Sequence, residues 1–598
     1  MQINIPKQQS GPGDHLLPVN ARQTKRWLKE LPLVNMGETT RQFYTGLGKI
    51  NRGAYAAKTR LEIMETMRPT AVVVLSNLHK HLVSRTLPLP PKTRKILQLT
   101  LALLDEMAIG YKAVVDEAAY GDAKLDPKGI TCAVHRAMRY IGEQIQLAAQ
   151  VYSPDPEGAW HDLHQLYKFA EIQCLSTDYV RDDLYQERTE GNIADVYKQI
   201  CLLALARPSS LRQGEAAKLY AYFETASSSC AISHVPLTDA NDGIYFSHLA
   251  SDSAPAYVSA DGLAESAENR YLDIASLLQR LKDQIQSTNV DPSQSIISKS
   301  TLNDDLSRRV LSGLSTVTKR RFSRAAQDSE VRVALGLLNI HNAIKNESAR
   351  YEYVPDPRAE LNLELMPAEH TEPDDGYVIG PKEEITQADY IWDTVARGNL
   401  VSDTALKSRG QRPGLDDGRQ GSEHWLTWKV VNSSAGGYCL LWSETATSRA
   451  HVGELLALRE REGNEYYWRV GIIRWMQCHK ERELYVGVQL LAPRTLLVAV
   501  HKTVRRDSRQ PSEGLMLPGI KTINQPPTLL TQKGLFAHGD EVAVKMPDDE
   551  EHVITFTEIC EQSGSFCQFL YVSTGADRKN RQKNLDEDSG FDSLWSEL

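Results

Sequence analysis

The chain is 598 residues long, with a formal net charge of −9 and a pI near 6.0. Its 41% hydrophobic and 24% charged residues are ordinary for soluble globular protein, and the length suggests roughly three or four domains. The acidic balance argues against a chain-wide nucleic-acid binder, and no apolar run approaches the ~20 residues needed to cross a bilayer. The first residues, Met1 to Ser10, lack the apolar centre of a secretion signal. The 8 cysteines are scattered without a Cys-x-x-Cys pair and read as thiols in a reducing compartment, so the chain is expected in the cytoplasm.

Residues 1–18 are polar and are expected to be disordered. Residues 19–346 read as a helical domain, either a bundle or an α-solenoid. Leu61, Met64, Leu75, Leu78 and Leu82 recur at helical spacing, and Pro69 among them predicts two helices or a kink. After Leu87-Pro-Leu-Pro-Pro91, a long apolar helix is predicted at 93–119. Further helices are expected near 129–151, 159–174, 191–206, 213–225, 269–286, 301–318 and 329–344. A β-hairpin insertion is expected at 228–262, and no strict repeat of 33 to 45 residues is present. His161 and His164 share a helix face, but no third ligand accompanies them, so they read as ordinary histidines.

Residues 347–400 are rich in proline and acid, with Pro355, Pro357, Pro367, Pro373 and Pro381, and read as a linker. Beyond it the apolar period becomes two. Tyr466, Trp468, Val470 and Ile472 alternate with their neighbours, as do Leu484, Val486, Val488 and Leu490. This predicts an antiparallel β-barrel at 401–510 and a further β extension at 511–575. A polar tail at 576–598 closes the chain, with Phe591-Asp-Ser-Leu-Trp595 as a short candidate docking motif. The fold class expected is therefore multidomain α+β.

The most specific signal is Asn432-Ser-Ser-Ala-Gly-Gly437, between the strand-like runs Trp425–Val431 and Tyr438–Trp442. It is followed by Trp468-Arg-Val-Gly-Ile-Ile-Arg-Trp475 and Leu484-Tyr-Val-Gly-Val-Gln-Leu490. An Asn-x-Ser-x-x-Gly box in this β context resembles the signature of PilZ domains. That resemblance implies a small barrel that binds the bacterial second messenger cyclic di-GMP, with Asn432, Ser434 and Gly437 in the binding box. It also implies an upstream Arg-x-x-x-Arg segment, because guanidinium groups pair bidentately with phosphate and guanine acceptors. Arg409 and Arg412, in Lys407-Ser-Arg-Gly-Gln-Arg412, take that role here, at a spacing one residue short of the family's. The basic cluster Lys319-Arg-Arg-Phe-Ser-Arg324 reads instead as a solvated helix face. Gly437 is expected in a backbone conformation costly for other residues, with Asn432 and Ser434 on a concave, partly exposed surface.

No phosphate-loop, nucleophile-elbow or zinc-protease motif occurs, so no catalytic or metal-binding residues are assigned and the chain is not read as an enzyme. The expectation is a cytoplasmic cyclic di-GMP receptor or effector without a cofactor. It would relay ligand binding to an unidentified protein partner, without nucleic acid or membrane insertion. The opposing reading is a ligand-free PilZ-like adaptor acting through its helical domain.

Overall fold

The structure is a computed structural model describing residues 2–573 except 9–17, 19, 83–85, 121–124, 185–188, 237–243, 259–265, 291–301, 316–322, 349–424, 444–447, 463–464, 480–482, 493, 504–510, 520–525 and 548–550. The expectations for the linker, the C-terminal tail, Arg409 and Arg412 lie outside the described residues. The chain divides into a helical unit and a β unit.

The helical unit contains α1 (Ala21–Glu30), α2 (Met36–Arg52), α3 (Ala57–Lys80), α4 (Pro91–Tyr120), α5 (Pro127–Gln150), α6 (Ala159–Ile172), a two-residue pair β1 (Val180–Arg181) and β2 (Glu190–Gly191), α7 (Ile193–Leu205) and α8 (Glu215–Ala226). The strands β3 (Ala231–Ser233), β4 (Ile244–His248), β5 (Ala256–Val258) and β6 (Asn269–Asp273) follow, then α9 (Ala275–Val290) and α10 (Asp304–Ser315).

Helices α4 and α5 pack along each other, with α2 and α3 against α4, and α6, α7 and α8 against α5. Leu103, Leu104, Met107 and Tyr111 of α4 and Val134, Met138, Ile141 and Ile145 of α5 are buried, so both faces of the central pair are apolar. This is an irregular bundle. Helix α3 runs through Pro69 as one element, with Met64, Met67, Ala71 and Val74 buried on either side of the proline. Packing of one continuous apolar face holds the helix across the residue that lacks a backbone donor.

Several charges inside the bundle are paired. Lys112 meets Asp162 at 2.7 Å, and Arg68 and Arg136 share Asp182 at 2.8 and 2.5 Å. Removing one partner from such a pair leaves an uncompensated buried charge, which is the costly event. His164 is buried between the Tyr197 hydroxyl (2.8 Å) and the Ser253 carbonyl (2.9 Å), and burial pushes its pKa down to about 4. Its neutral ring is thus a structural hydrogen-bonding group. The expected hairpin is a larger element, a four-stranded antiparallel sheet of order β3-β6-β4-β5. Its last strand occupies the start of the helix expected at 269–286. Asp273 ends that strand and accepts from the Ala275 amide at 2.9 Å, so the helix begins only at Ala275.

The β unit starts earlier than expected. The helix predicted at 329–344 is a strand, β7 (Ala325–Leu335), followed by α11 (Leu337–Ser348). Glu330-Val-Arg-Val alternates in burial as a strand does, and Gly336, at φ +81°, breaks the chain between the two elements. Read across that glycine, the valines and the leucines beyond it merge into an apparent helical period. After the undescribed 349–424 come β8 (Leu426–Ser434), β9 (Gly437–Trp442), β10 (Leu455–Glu462), β11 (Glu465–His479) and β12 (Glu483–Ala492). With β7 they form a closed barrel of order β10-β11-β12-β9-β8-β7. Strand β7 pairs on one edge with β8 and on the other with β10, where Leu335 faces Leu456. The barrel expected at 401–510 is therefore completed by a strand from the region expected to be helical. Trp428 and Trp442 fill its interior with ring centroids 5.2 Å apart.

The expected β extension is a second closed barrel. It comprises β13 (Leu496–Lys502), β14 (Ser512–Leu517), β15 (Thr528–Gln532), β16 (Glu541–Lys545), β17 (Glu551–Gln562) and β18 (Phe566–Ser573). It begins before the expected boundary at 511. Phe556 and Phe569 stack at 4.2 Å in its core.

Helix α11 joins the two barrels. Leu337, Ile340 and Ala343 share one apolar cluster with Leu455 and Val470 of the first barrel and Leu515, Leu517 and Phe566 of the second. Its end is fastened by Glu347, which accepts from the Arg459 guanidinium at 2.7 Å and from the Trp468 indole at 2.6 Å.

Candidate functional site

The box lies at the tip of a hairpin. Strands β8 and β9 pair in antiparallel register so that Ser434 faces Gly437 across the two-residue turn Ala435-Gly436. On the other edge of β8, β7 places Ala326 opposite Asn432 and Ala325 opposite Ser433. The residue before β7 is Arg324, so the register brings its backbone alongside Ser434. The third wall comes from β11 and β12, which contribute Arg474, Trp475, Gly487, Val488 and Gln489. Together these residues enclose an open cleft of about 160 Å³ lined by Arg324, Asn432, Ser434, Gly437, Arg474 and Trp475.

Asn432 is largely buried, yet its side chain makes no hydrogen bond to another described residue. It lines the cleft, where an amide without a protein partner is available to a ligand. Ser434, which also lines the cleft, donates weakly through Oγ to the Gly437 carbonyl at 3.3 Å and keeps its acceptor capacity. Both side chains therefore line the concave surface expected of them, although Asn432 is less exposed than expected.

Gly437 corrects an expectation. Its φ is not among the positive values in the chain; it is the first residue of strand β9. Glycine is needed for space. A Cβ there would lie 1.9 Å from the Val488 carbonyl oxygen of the neighbouring strand β12. Gly487 is similar in kind, because a Cβ would lie 1.8 Å from Trp475 Nε1. The Trp475 indole therefore packs directly against the Gly487 backbone, and the residue is half-buried at the cleft wall.

The two cations of the cleft differ. Arg324 is exposed and makes no ion pair or hydrogen bond among the described residues. It is close enough to the buried Cys439 thiol to act on it electrostatically: burial pushes that thiol up to about 12, and the Arg324 charge partly opposes the rise. Arg474 is the extra residue at a β-bulge, since Ile473 pairs with Val488 and Trp475 with Gly487. Its guanidinium donates to Gln489 Oε1 at 2.6 Å and to both carboxylate oxygens of Glu561 at 2.6 and 2.8 Å.

Neither arginine was assigned to the site from the sequence, and a signal for one of them is present. Arg320-Arg-Phe-Ser-Arg324 has the Arg-x-x-x-Arg spacing that is missing around Arg409 and Arg412. It stands over 100 residues before the box, separated by β7, α11 and the undescribed segment. Only the pairing of β7 with β8 brings Arg324 to Ser434. Arg320 itself is outside the described residues. Among the described residues, no group of His, Cys, Asp and Glu is arranged to hold a metal ion. No described helix is long and apolar enough to cross a membrane.

Comparison with known proteins divides the chain into three segments, the first boundary falling within the helical unit between β3 and β4. Residues 22–237 match the model "Cyclic-di-GMP receptor FimW, N-terminal domain", and residues 244–496 match "Cyclic-di-GMP receptor FimW, middle PilZ domain". Residues 498–574 match "FimW C-terminal beta-barrel domain". The cyclic-di-GMP receptor FimW of Pseudomonas aeruginosa is 26% identical over 607 aligned positions, covering 96% of each chain. No solved structure matches the chain. The middle-domain match ends at residue 496, just past the first barrel's last strand, and includes β7, the strand next to Arg324. The chain thus carries a PilZ domain at 244–496, between a helical N-terminal domain and a second C-terminal barrel.

Proposed function

We propose that this protein is a cyclic di-GMP receptor whose binding site is the cleft between the Asn432–Gly437 box and Arg324. The observation that carries the reading is the β7–β8 register, which sets the last arginine of Arg320-x-x-x-Arg324 beside Ser434. The relative that matches along nearly its whole length is itself named a cyclic-di-GMP receptor.

The chemistry of the ligand fits the groups present. Its two phosphates take guanidinium donors, for which Arg320 and Arg324 replace the earlier assignment of Arg409 and Arg412. Its guanine edges take the short polar groups of Asn432 and Ser434. The exposed face of Trp475 offers a stacking surface for one base, a contact worth ~1–3 kcal/mol in other nucleotide sites. Gly437 and Gly487 keep the floor low enough for a flat ligand to lie against backbone.

The protein acts by binding rather than by catalysis, in the cytoplasm where the second messenger is made. The helical unit carries the signal to a protein partner.

A calorimetric titration of the intact chain tests this. Cyclic di-GMP is expected to bind with micromolar or tighter affinity, and the affinity should fall as salt is raised, because the Arg324 charge is exposed. The linear dinucleotide pGpG, which cannot fold its two bases over two linked phosphates, should bind far more weakly. No heat with cyclic di-GMP at high micromolar concentration would remove the receptor function and leave an adaptor that keeps the fold.

A further inference from the structure

Arg474 stands at the cleft with both of its terminal nitrogens already committed to the other barrel. Its guanidinium grips the Glu561 carboxylate bidentately, at 2.6 and 2.8 Å, and Gln489 takes its Nε. Both partners sit at irregularities of their sheets. Arg474 is the inserted residue of a bulge in β11, and in β17 a register shift falls between Ile559 and Glu561. Bulges re-aim side chains out of the regular alternation. Here two of them turn an arginine and a glutamate from different barrels toward one another. From Thr557 to Cys560 strand β17 is exposed, and Glu561 is the half-buried exception.

The Nη1–Nη2 edge of the guanidinium, the one that Glu561 holds, grips one acceptor pair at a time. The fork that suits a carboxylate also suits a phosphate or the O6 and N7 edge of guanine. We propose that Glu561 is an internal competitor for the ligand. In the free protein it holds Arg474, and binding of the cyclic dinucleotide transfers the Arg474 guanidinium from Glu561 to the ligand and loosens the end of β17. This rests on the receptor reading above and adds its regulation: the second barrel senses occupancy of the first through a single ion pair.

The rest of the contact between the barrels stays in place during the exchange. The apolar cluster of α11 around Leu337, Ile340 and Leu515 is built without Arg474 or Glu561, and Ser565 Oγ donates separately to Glu454 at 2.8 Å. The released element is therefore the outer end of β17, which becomes a ligand-dependent surface of the second barrel. Linkage makes the coupling reciprocal: whatever Glu561 costs the ligand, the ligand costs the Glu561 contact.

The test uses the full chain and cyclic di-GMP. Glu561→Gln keeps the shape and removes the charge. It is expected to tighten binding by about 3- to 10-fold, the range of a partly exposed ion pair. In an Arg474→Ala background the same substitution should change nothing. In the unsubstituted protein, amide hydrogen exchange at Glu558–Gln562 should speed up with saturating ligand while Leu529–Thr531 of β15 stays protected. Unchanged or weaker binding by Glu561→Gln, or unchanged or slower exchange at Glu558–Gln562 in a protein that binds the ligand, overturns the proposal. Failure of the unsubstituted protein to bind at all instead overturns the receptor reading, so the two failures are distinct.

Discussion

Replacing Arg320 and Arg324 together by alanine is expected to weaken cyclic di-GMP binding by about two to four decades, with the thermal unfolding of the protein unchanged. Each charge-assisted hydrogen-bonding contact contributes roughly 1.5–3 kcal/mol, and two such contacts amount to that many decades. Stability should be indifferent because Arg324 is exposed and no described carboxylate loses a partner with it. The matched pair Arg409→Ala and Arg412→Ala should leave affinity where it was. A calorimetric titration of the two double variants separates the assignments. Loss of binding in the second pair and not in the first would return the role to the segment just before the box.

The other large effect concerns folding. Gly437→Ala should destabilise the first barrel by roughly 3 kcal/mol, the upper range for overpacking a rigid site. The added methyl meets a backbone carbonyl at 1.9 Å, and no rotamer change can relieve a clash with the main chain. Strand β9 must then move off β12, which disturbs the Tyr438–Val488 and Gly437–Gln489 pairs that shape the cleft. Gly313→Ala is the control. That glycine lies in helix α10 with nothing near its Cβ position, so alanine there should be neutral or stabilising. Because the chain has two units, the barrel transition should be followed by near-ultraviolet circular dichroism of the packed Trp428–Trp442 pair. An unaltered barrel transition in Gly437→Ala would mean that the β9–β12 approach is looser than described.

The box and the alternating strands after it were legible because both are local. Asn432, Ser434 and Gly437 act within one hairpin, and the period of two in β11 and β12 is written in consecutive residues. The first strand was not legible, since Val331, Val333 and Leu335 run into the apolar face of α11 and imitate one helix until Gly336 is seen at φ +81°. With β7 read as helix, Arg324 is only a charge on a helix face, far along the chain from the box. The distance between motif and box along the chain carries no information about their distance in space. Strand pairing supplies it. Arg474 was visible as part of Val470-Gly-Ile-Ile-Arg-Trp475, but its use depends on a bulge and on a carboxylate 87 residues away, neither of which has a sequence signature. Gly437 was recognised as special for the wrong reason. Sequence suggests backbone freedom at glycine, whereas the structure requires the absence of a side chain against a neighbouring strand.

The central claim is that the ligand occupies the cleft walled by Trp475, and fluorine NMR of the intact protein labelled with 5-fluorotryptophan reads this directly. The chain has 9 tryptophans, and a Trp475→Phe variant assigns the resonance in question. On titration with cyclic di-GMP the Trp475 signal is expected to shift and saturate at the affinity found by calorimetry, while Trp160, packed on His164 in the helical unit, stays fixed. A protein that binds cyclic di-GMP while its Trp475 resonance does not move would place the ligand elsewhere and contradict the account.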